Sequence, residues 1–125
     1  VWADGGSELC VVAKGTATAC VGVEAALLPE PGTASLATAG SGDVLGGIIC
    51  ALLARTPDDI EDLPLIAAFG CEVHAVAGSR AAKRYGSRGV MAGDIADEVG
   101  LAVDELEDHV SSLVAGAAED QGPSL

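Results

Sequence analysis

Residues 32–54 read "GTASLATAGSGDVLGGIICALLA". Small residues and glycines lead to an acid, Asp43, and then to an apolar run ending at Ala54. That run is too long for an ordinary strand and follows Ser41 and Gly42, so a buried helix is expected from Asp43 to Ala54. Gly46 and Gly47 inside it cost roughly 1 kcal/mol each relative to Ala, which leads us to expect close approach of a neighbouring backbone there. A G-x-G-D turn opening a buried helix gathers backbone N–H groups at Gly40, Ser41 and Gly42 around one concavity. Such a concavity suits an anion, because the glycines carry no Cβ and the helix dipole presents about half a positive charge. Asp43 then has two readings. It is either a first-turn acid that steadies the helix by roughly 0.3–1 kcal/mol, or a general base beside a bound phosphate.

Upstream, Glu8–Lys14, Ala17–Val23 and Ala25–Leu28 are short apolar or β-branched stretches separated by Gly15 and Gly22, and they read as strands. Pro29, Pro31 and Gly32 break regular structure, and the small residues that follow through Ala39 suit a loop lying close to something. Downstream, Leu65–Tyr85 reads as a long helix with Ile66, Phe69, Val73, Val76 and Ala77 at helical spacing. Arg80, Lys83 and Arg84 fall near its C-terminus, where a solvated, dipole-matched end is expected ahead of a phosphate patch. A loop capped at Gly93 or Asp94, a short helix to Val99 and a last helix with Val103, Leu106, Val110, Leu113 and Val114 on one face complete the chain. That face is read as core or as an oligomer contact. His74 is expected to be a satisfied core histidine and His109 a surface one. The acidic connection at 58–62 is read as solvated and residues 119–125 as a disordered tail. Strands first and helices after is the order of half an α/β domain or a small α+β one.

The bulk properties narrow the partners. The 125 residues carry 19 acidic and 6 basic side chains, a formal charge of −13, so nucleic acid and anionic membrane are poor partners. A phosphate ligand must be held by local devices, which screening over roughly 8 Å at physiological salt permits. Aromatics are scarce, leaving the core to Ala, Val, Leu and Ile. The longest apolar run, Val44–Ala54, is shorter than the roughly 20 residues of a membrane-spanning helix. Cys10, Cys20, Cys50 and Cys71 form no C-x-x-C pair and are expected to be buried, reduced thiols, which favours a cytoplasmic setting. The opening at Val1 rather than Met, running almost at once into a strand, leads us to expect a piece of a longer chain.

The segment "LATAGSGDVLGGIICALLA" (36–54) resembles the signature of the ribokinase-like superfamily and, within it, the ADP/ATP-dependent NAD(P)H-hydrate dehydratases. "VVAKGTAT" (11–18) resembles that family's strand with its Lys-Gly-x-x-Thr turn, and "HAVAGSRAAKRYGSRGVMAGDI" (74–95) its helix and following loop. The likeness runs from about Glu8 to Val114, with departures at Ala75, which stands for a glycine, and Ser79, which stands for an acid. It implies the C-terminal part of a ribokinase-like three-layer α/β/α domain, here residues 1–118, from a family domain of roughly twice this length. It implies repair of hydrated NADH or NADPH, in which a nucleotide phosphorylates the ring hydroxyl and phosphate then leaves.

Mapped onto this chain, the resemblance makes Asp43 the catalytic base. Gly40, Ser41 and Gly42 become the hole for the transferring phosphate, and Lys14, Gly15 and Thr18 the lining of the adenine nucleotide site. It implies Mg²⁺ across the phosphates, as in other phosphoryl transfers, with no protein metal site of its own. The "GSGD" form resembles the bacterial and archaeal branch and implies ADP rather than ATP. A homo-oligomer is expected. Two alternatives stay open: a ribokinase-like small-molecule kinase, and a non-catalytic nucleotide-binding fragment. Thiazole and pyrimidine kinases carry cysteine where Asp43 stands, and sugar kinases show a longer Asp-Thr-x-Gly-Ala-Gly-Asp lead whose first acid is missing here.

Overall fold

The computed structural model describes residues 9–15, 17–56 and 62–119. Three short strands, β1 (Val11–Ala13), β2 (Ala19–Val21) and β3 (Ala26–Leu27), form an antiparallel sheet in the order β1-β2-β3. Val12 pairs with Cys20, and Cys20 with Leu27. Because side chains alternate across a strand, these three share the face turned to the core, while Val11 and its partner Val21 share the opposite, exposed face. The strands are shorter at both ends than the sequence suggests. After β3, a 3-10 turn at Ala34–Leu36 leads into four helices: α1 (Ser41–Arg55), α2 (Leu63–Tyr85), α3 (Ala92–Asp97) and α4 (Val99–Glu119). The expected order of strands and then helices is present, with helices packed on one face of the sheet among the described residues.

Helix α2 is the element against which the others are arranged. The Asp62 side chain accepts the Leu65 N–H at 3.0 Å, and Pro64 stands in the first turn, where its missing donor costs nothing. At the other end Gly86 takes φ 79°, a conformation that only glycine adopts without strain. Ala67, Gly70, Cys71, Val73, His74, Ala77, Gly78 and Ala81 are buried along its length. Most are small, and the small size is used. A Cβ at Gly70 would stand 2.7 Å from Cγ1 of Ile49 in α1, and one at Gly78 would overlap Leu36. The Ser35 hydroxyl donates to the Gly78 carbonyl at 3.2 Å, tying the 3-10 turn down beside that contact. Helices α1 and α2 therefore meet closely, and Ile48, Val73, Ala77, Ala81, Val90, Ile95 and Ala102 form the main core. Cys20, Leu45, Ala67 and Cys71 form a second cluster under the sheet.

Several expectations change. Gly46 and Gly47 lie on the exposed side of α1 and have nothing within 4 Å of a built Cβ, so the close approach occurs at Gly70 and Gly78 instead. Cys20 and Cys71 are buried and Cys10 half-buried, but Cys50 is exposed because it lies on the outer side of α1; all four are free. The short helix begins after Met91, whose N–H is accepted by Asp94, so the cap lies earlier than Gly93. Arg80 and Arg84 are not a merely solvated end. Arg80 reaches Glu98 at 2.9 Å and Glu105 at 2.9 Å, and Arg84 reaches Glu98 at 3.3 Å, joining α2 to the α3–α4 junction and to α4. The apolar face of α4 is core only in its first half. Val103 and Leu106 pack inward, whereas Val110, Leu113 and Val114 are exposed. Apart from Asp62 and Glu119, the acidic connection and the tail lie outside the described residues.

The packing at Gly70 predicts that Gly70→Val lowers stability by about 1–3 kcal/mol, as expected for overpacking, measurable as a lower denaturant midpoint with an unchanged slope. The Glu98 cluster predicts a pH effect. Hydrogen bonding to Arg80, above all, holds the Glu98 carboxyl below its ordinary 4.5 despite its burial. A depressed carboxyl contributes stability that is present above its unfolded value and lost as pH falls through the folded value. Glu98→Gln is therefore expected to weaken the protein at pH 7 and to flatten the loss of stability below about pH 4.5, read from unfolding curves between pH 7 and pH 3.

Candidate functional site

A cleft of about 590 Å³ opens where three segments meet α2, a size typical of small-molecule sites. Its floor is Cys71, His74 and Ala75 of α2. One wall is the β1–β2 hairpin with Lys14, Gly15 and Thr18, the other the loop from Pro29 to Thr38, and its end is the first turn of α1 with Ser41, Gly42 and Leu45. The loop is held in place from both sides. The Glu30 N–H donates to Glu72 of α2 at 3.1 Å, and the Thr33 and Ser35 hydroxyls meet next to the Gly78 anchor.

The start of α1 has the geometry that the glycines suggest. Gly40 takes φ 85° at the cap, and Ala92 of α3 approaches to 3.2 Å of where its Cβ would stand. The Gly40 carbonyl accepts the Asp43 and Val44 N–H groups, and the Ser41 N–H donates to Thr38. Among the described residues, the N–H groups of Gly40 and Gly42 have no backbone carbonyl to which they donate. The Lys14 side chain crosses over Gly42, where a methyl group would overlap the ammonium. A cation, an open N–H and a helix N-terminus therefore converge at one end of the cleft, which is what an oxyanion or phosphate needs. With a net charge of −13, this local arrangement replaces any long-range attraction.

Ser41 is buried, and its hydroxyl lies 3.0 Å from Nε2 of His74. His74 is only 6% exposed. Burial, more than anything else, lowers its pKa below the ordinary histidine value, and nearby Lys14 pushes the same way, against a hydrogen bond to the Ser41 backbone. The ring is neutral at pH 7. Cys71 faces Cys20 at 3.9 Å, and burial pushes its thiol up to about 12, so it stays protonated and is no nucleophile.

Five of the seven residues singled out from the sequence, Lys14, Gly15, Thr18, Ser41 and Gly42, thus line a single cleft. Gly40 and Asp43 do not line it. Gly40 turns the chain into α1, and Asp43 is exposed on the first turn, its side chain with no hydrogen-bond or salt-bridge partner among the described residues. Sequence reading finds His74 but assigns it only to the core. The signal for more is a polar side chain in the midst of the small-residue face of α2, since such a group needs a partner across the interface. The loop from Pro29 to Thr38 is missed as a wall, although its small residues already mark close approach.

The family model described as NAD(P)H-hydrate dehydratase matches residues 6–100. An ADP-dependent (S)-NAD(P)H-hydrate dehydratase of Xanthomonas campestris is 38% identical over 97 residues, which are 77% of this chain and 32% of that protein. A bifunctional NAD(P)H-hydrate repair enzyme Nnr of Moorella thermoacetica is 40% identical over 84 residues, 67% of this chain and 15% of that protein. An ADP-dependent (S)-NAD(P)H-hydrate dehydratase of Neisseria meningitidis is 46% identical over 68 residues, 54% of this chain and 22% of that protein. The chain thus spans less than a third of the length of these curated relatives. No solved structure matches it significantly. On the family match and on a three-stranded sheet followed by helices, this chain belongs to the NAD(P)H-hydrate dehydratase family, whose fold is ribokinase-like α/β.

Proposed function

We propose that residues 1–118 are the C-terminal part of one ribokinase-like domain and contribute the phosphate-holding end of a site that dehydrates hydrated NADH or NADPH at the expense of ADP. The observation that carries this reading is the crossing of Lys14 over Gly42, within a single cleft, at a turn whose Gly40 and Gly42 N–H groups donate to no backbone carbonyl among the described residues. The names of the Xanthomonas and Neisseria relatives supply ADP as the nucleotide and (S)-NAD(P)H hydrate as the substrate. Lys14, Gly15 and Thr18 line the nucleotide side, and Ser41 and Gly42, presented by the turn at Gly40, lie beside the transferring phosphoryl group.

Hydroxide is a poor leaving group and phosphate a good one, so the ring hydroxyl is first phosphorylated. The Asp43 carboxylate takes the hydroxyl proton as the hydroxyl oxygen attacks the terminal phosphorus of ADP, whose bond to the bridging oxygen breaks and releases AMP. Phosphate then departs with the electrons of the C–O bond, the neighbouring ring carbon gives up a proton to water, and the electrons of that C–H bond restore the double bond. An exposed carboxylate, unpaired among the described residues, suits a base that must meet a substrate arriving from outside the cleft. Among the described residues no group of three or more His, Cys, Asp or Glu could hold a metal ion. Mg²⁺ would supply screening of phosphate charge in the phosphoryl transfer.

No helix among the described residues is long and apolar enough to cross a membrane. Four free cysteines accord with a cytoplasmic setting, and self-association through Val110, Leu113 and Val114 at the exposed end of α4 belongs to the same reading.

The test is recovery of reduced-nicotinamide absorbance from NADH hydrate with Mg²⁺ and either ADP or ATP. It should be run on this chain and on a version extended upstream to the length of the Xanthomonas relative. Recovery with ADP supports the dehydratase; bound ADP with no recovery in either version supports a non-catalytic nucleotide-binding role. Asp43→Asn is expected to bind ADP as the parent does and to lose turnover by about 10²–10⁴-fold. Unchanged turnover would remove Asp43 as the base.

A further inference from the structure

The contact between Ser41 and His74 has two proton arrangements, and only one of them serves an anion. The Ser41 N–H already donates to Thr38, so the hydroxyl proton is all that the residue can offer to a ligand in the cleft. If Nε2 of His74 is bare, Ser41 donates to it and turns that proton away from the ligand. If Nε2 carries the ring proton, His74 donates to Ser41 and the hydroxyl is free to donate into the cleft. Distance alone, 3.0 Å, fits both.

The surroundings limit the choice to the position of a single proton. His74 is buried between α1 and α2, and Lys14 is the charged group that disfavours a second positive charge there. The ring therefore has one N–H to place. With an oxyanion at the end of the cleft, between the Lys14 ammonium and the Gly42 N–H, a lone pair of Ser41 facing that oxyanion is repelled and a proton facing it is attracted.

We propose that His74 is a positioning residue: its Nε2–H donates to the Ser41 hydroxyl and thereby aims the Ser41 proton at a phosphate oxygen of the nucleotide in the cleft. This rests on the reading of the cleft as a phosphate site and adds to it the residue that orients one of its donors. His74 does not touch the ligand. It acts from the floor, through Ser41, and its own energetic contribution appears only when an anion is bound.

The experiment follows the protein with ADP as the probe. Long-range ¹H–¹⁵N spectra report which ring nitrogen is protonated, and exposed His109, the one other histidine, supplies a solvent-exposed reference. With ADP bound, Nε2 of His74 is expected to be protonated and the ring neutral. Ser41→Ala and His74→Leu are each expected to weaken ADP binding by about tenfold, and the double variant by little more than either, because both remove one chain of hydrogen bonds. His74→Gln, whose amide can donate from nearly the same position, is expected to restore binding to within about twofold of the parent. A merely structural histidine would show neither the ligand-selected tautomer nor that rescue. A bare Nε2 in the ADP complex overturns the proposal, and so does wild-type affinity in His74→Leu beside a weakened Ser41→Ala; both outcomes leave the phosphate site standing. Absence of ADP binding by the unsubstituted protein overturns the phosphate-site reading and this inference with it. Should His74→Leu fail to fold, the spectra of the unsubstituted protein and the Gln variant decide.

Discussion

The close approach of α1 and the 3-10 turn to the small-residue face of α2 is the constraint on which the rest depends. Without side chains at Gly70 and Gly78, Ile49 and Leu36 sit where a Cβ would otherwise be. This sets how near the first turn of α1 lies to α2, and so allows a serine of one helix to meet a histidine of the other. The floor of the cleft is the same stretch of α2, one turn along from Gly70. A core that is poor in aromatics and rich in Ala, Val and Gly is thus a means of bringing backbones together, where dispersion contacts accumulate over many small groups.

The electrostatics follow a similar economy. A chain with a charge of −13 gains nothing from its overall field in holding a phosphate. Its cleft instead sets one lysine over a glycine turn, where no intervening side chain separates the ammonium from the helix N-terminus. Elsewhere the cations serve structure: Arg80 and Arg84 share the buried Glu98 and join α2 to the later helices. A side-chain carboxylate in that position is satisfied by two guanidinium groups, so the acid at the helix junction is held rather than merely tolerated.

The family relationship and the geometry meet at the same residues. The match over residues 6–100 includes the hairpin, the loop from Pro29 to Thr38, the glycine turn and all of α2, which together line the cleft. The exposed face of the sheet at Val11 and Val21 and the exposed end of α4 are among the apolar surfaces that these elements leave uncovered in the described residues.

Local sequence determined the elements of the fold. Apolar runs bounded by Gly and Pro mark the strands, helical spacing from Ile66 to Ala77 marks α2, and the G-x-G-D turn marks both the start of α1 and the site beside it. These are legible because backbone preference and hydrophobic period act over a few residues. The pairing of elements is not local, and here reading from sequence alone misplaces contacts: it puts the tight approach at Gly46 and Gly47 rather than at Gly70 and Gly78, leaves Arg80 and Arg84 in solvent, and treats the whole apolar face of α4 alike. Only the tertiary structure decided that Lys14 lies over Gly42 and that His74 meets Ser41, because each joins residues at least 28 positions apart, and nothing in their separate neighbourhoods records which backbone will approach which.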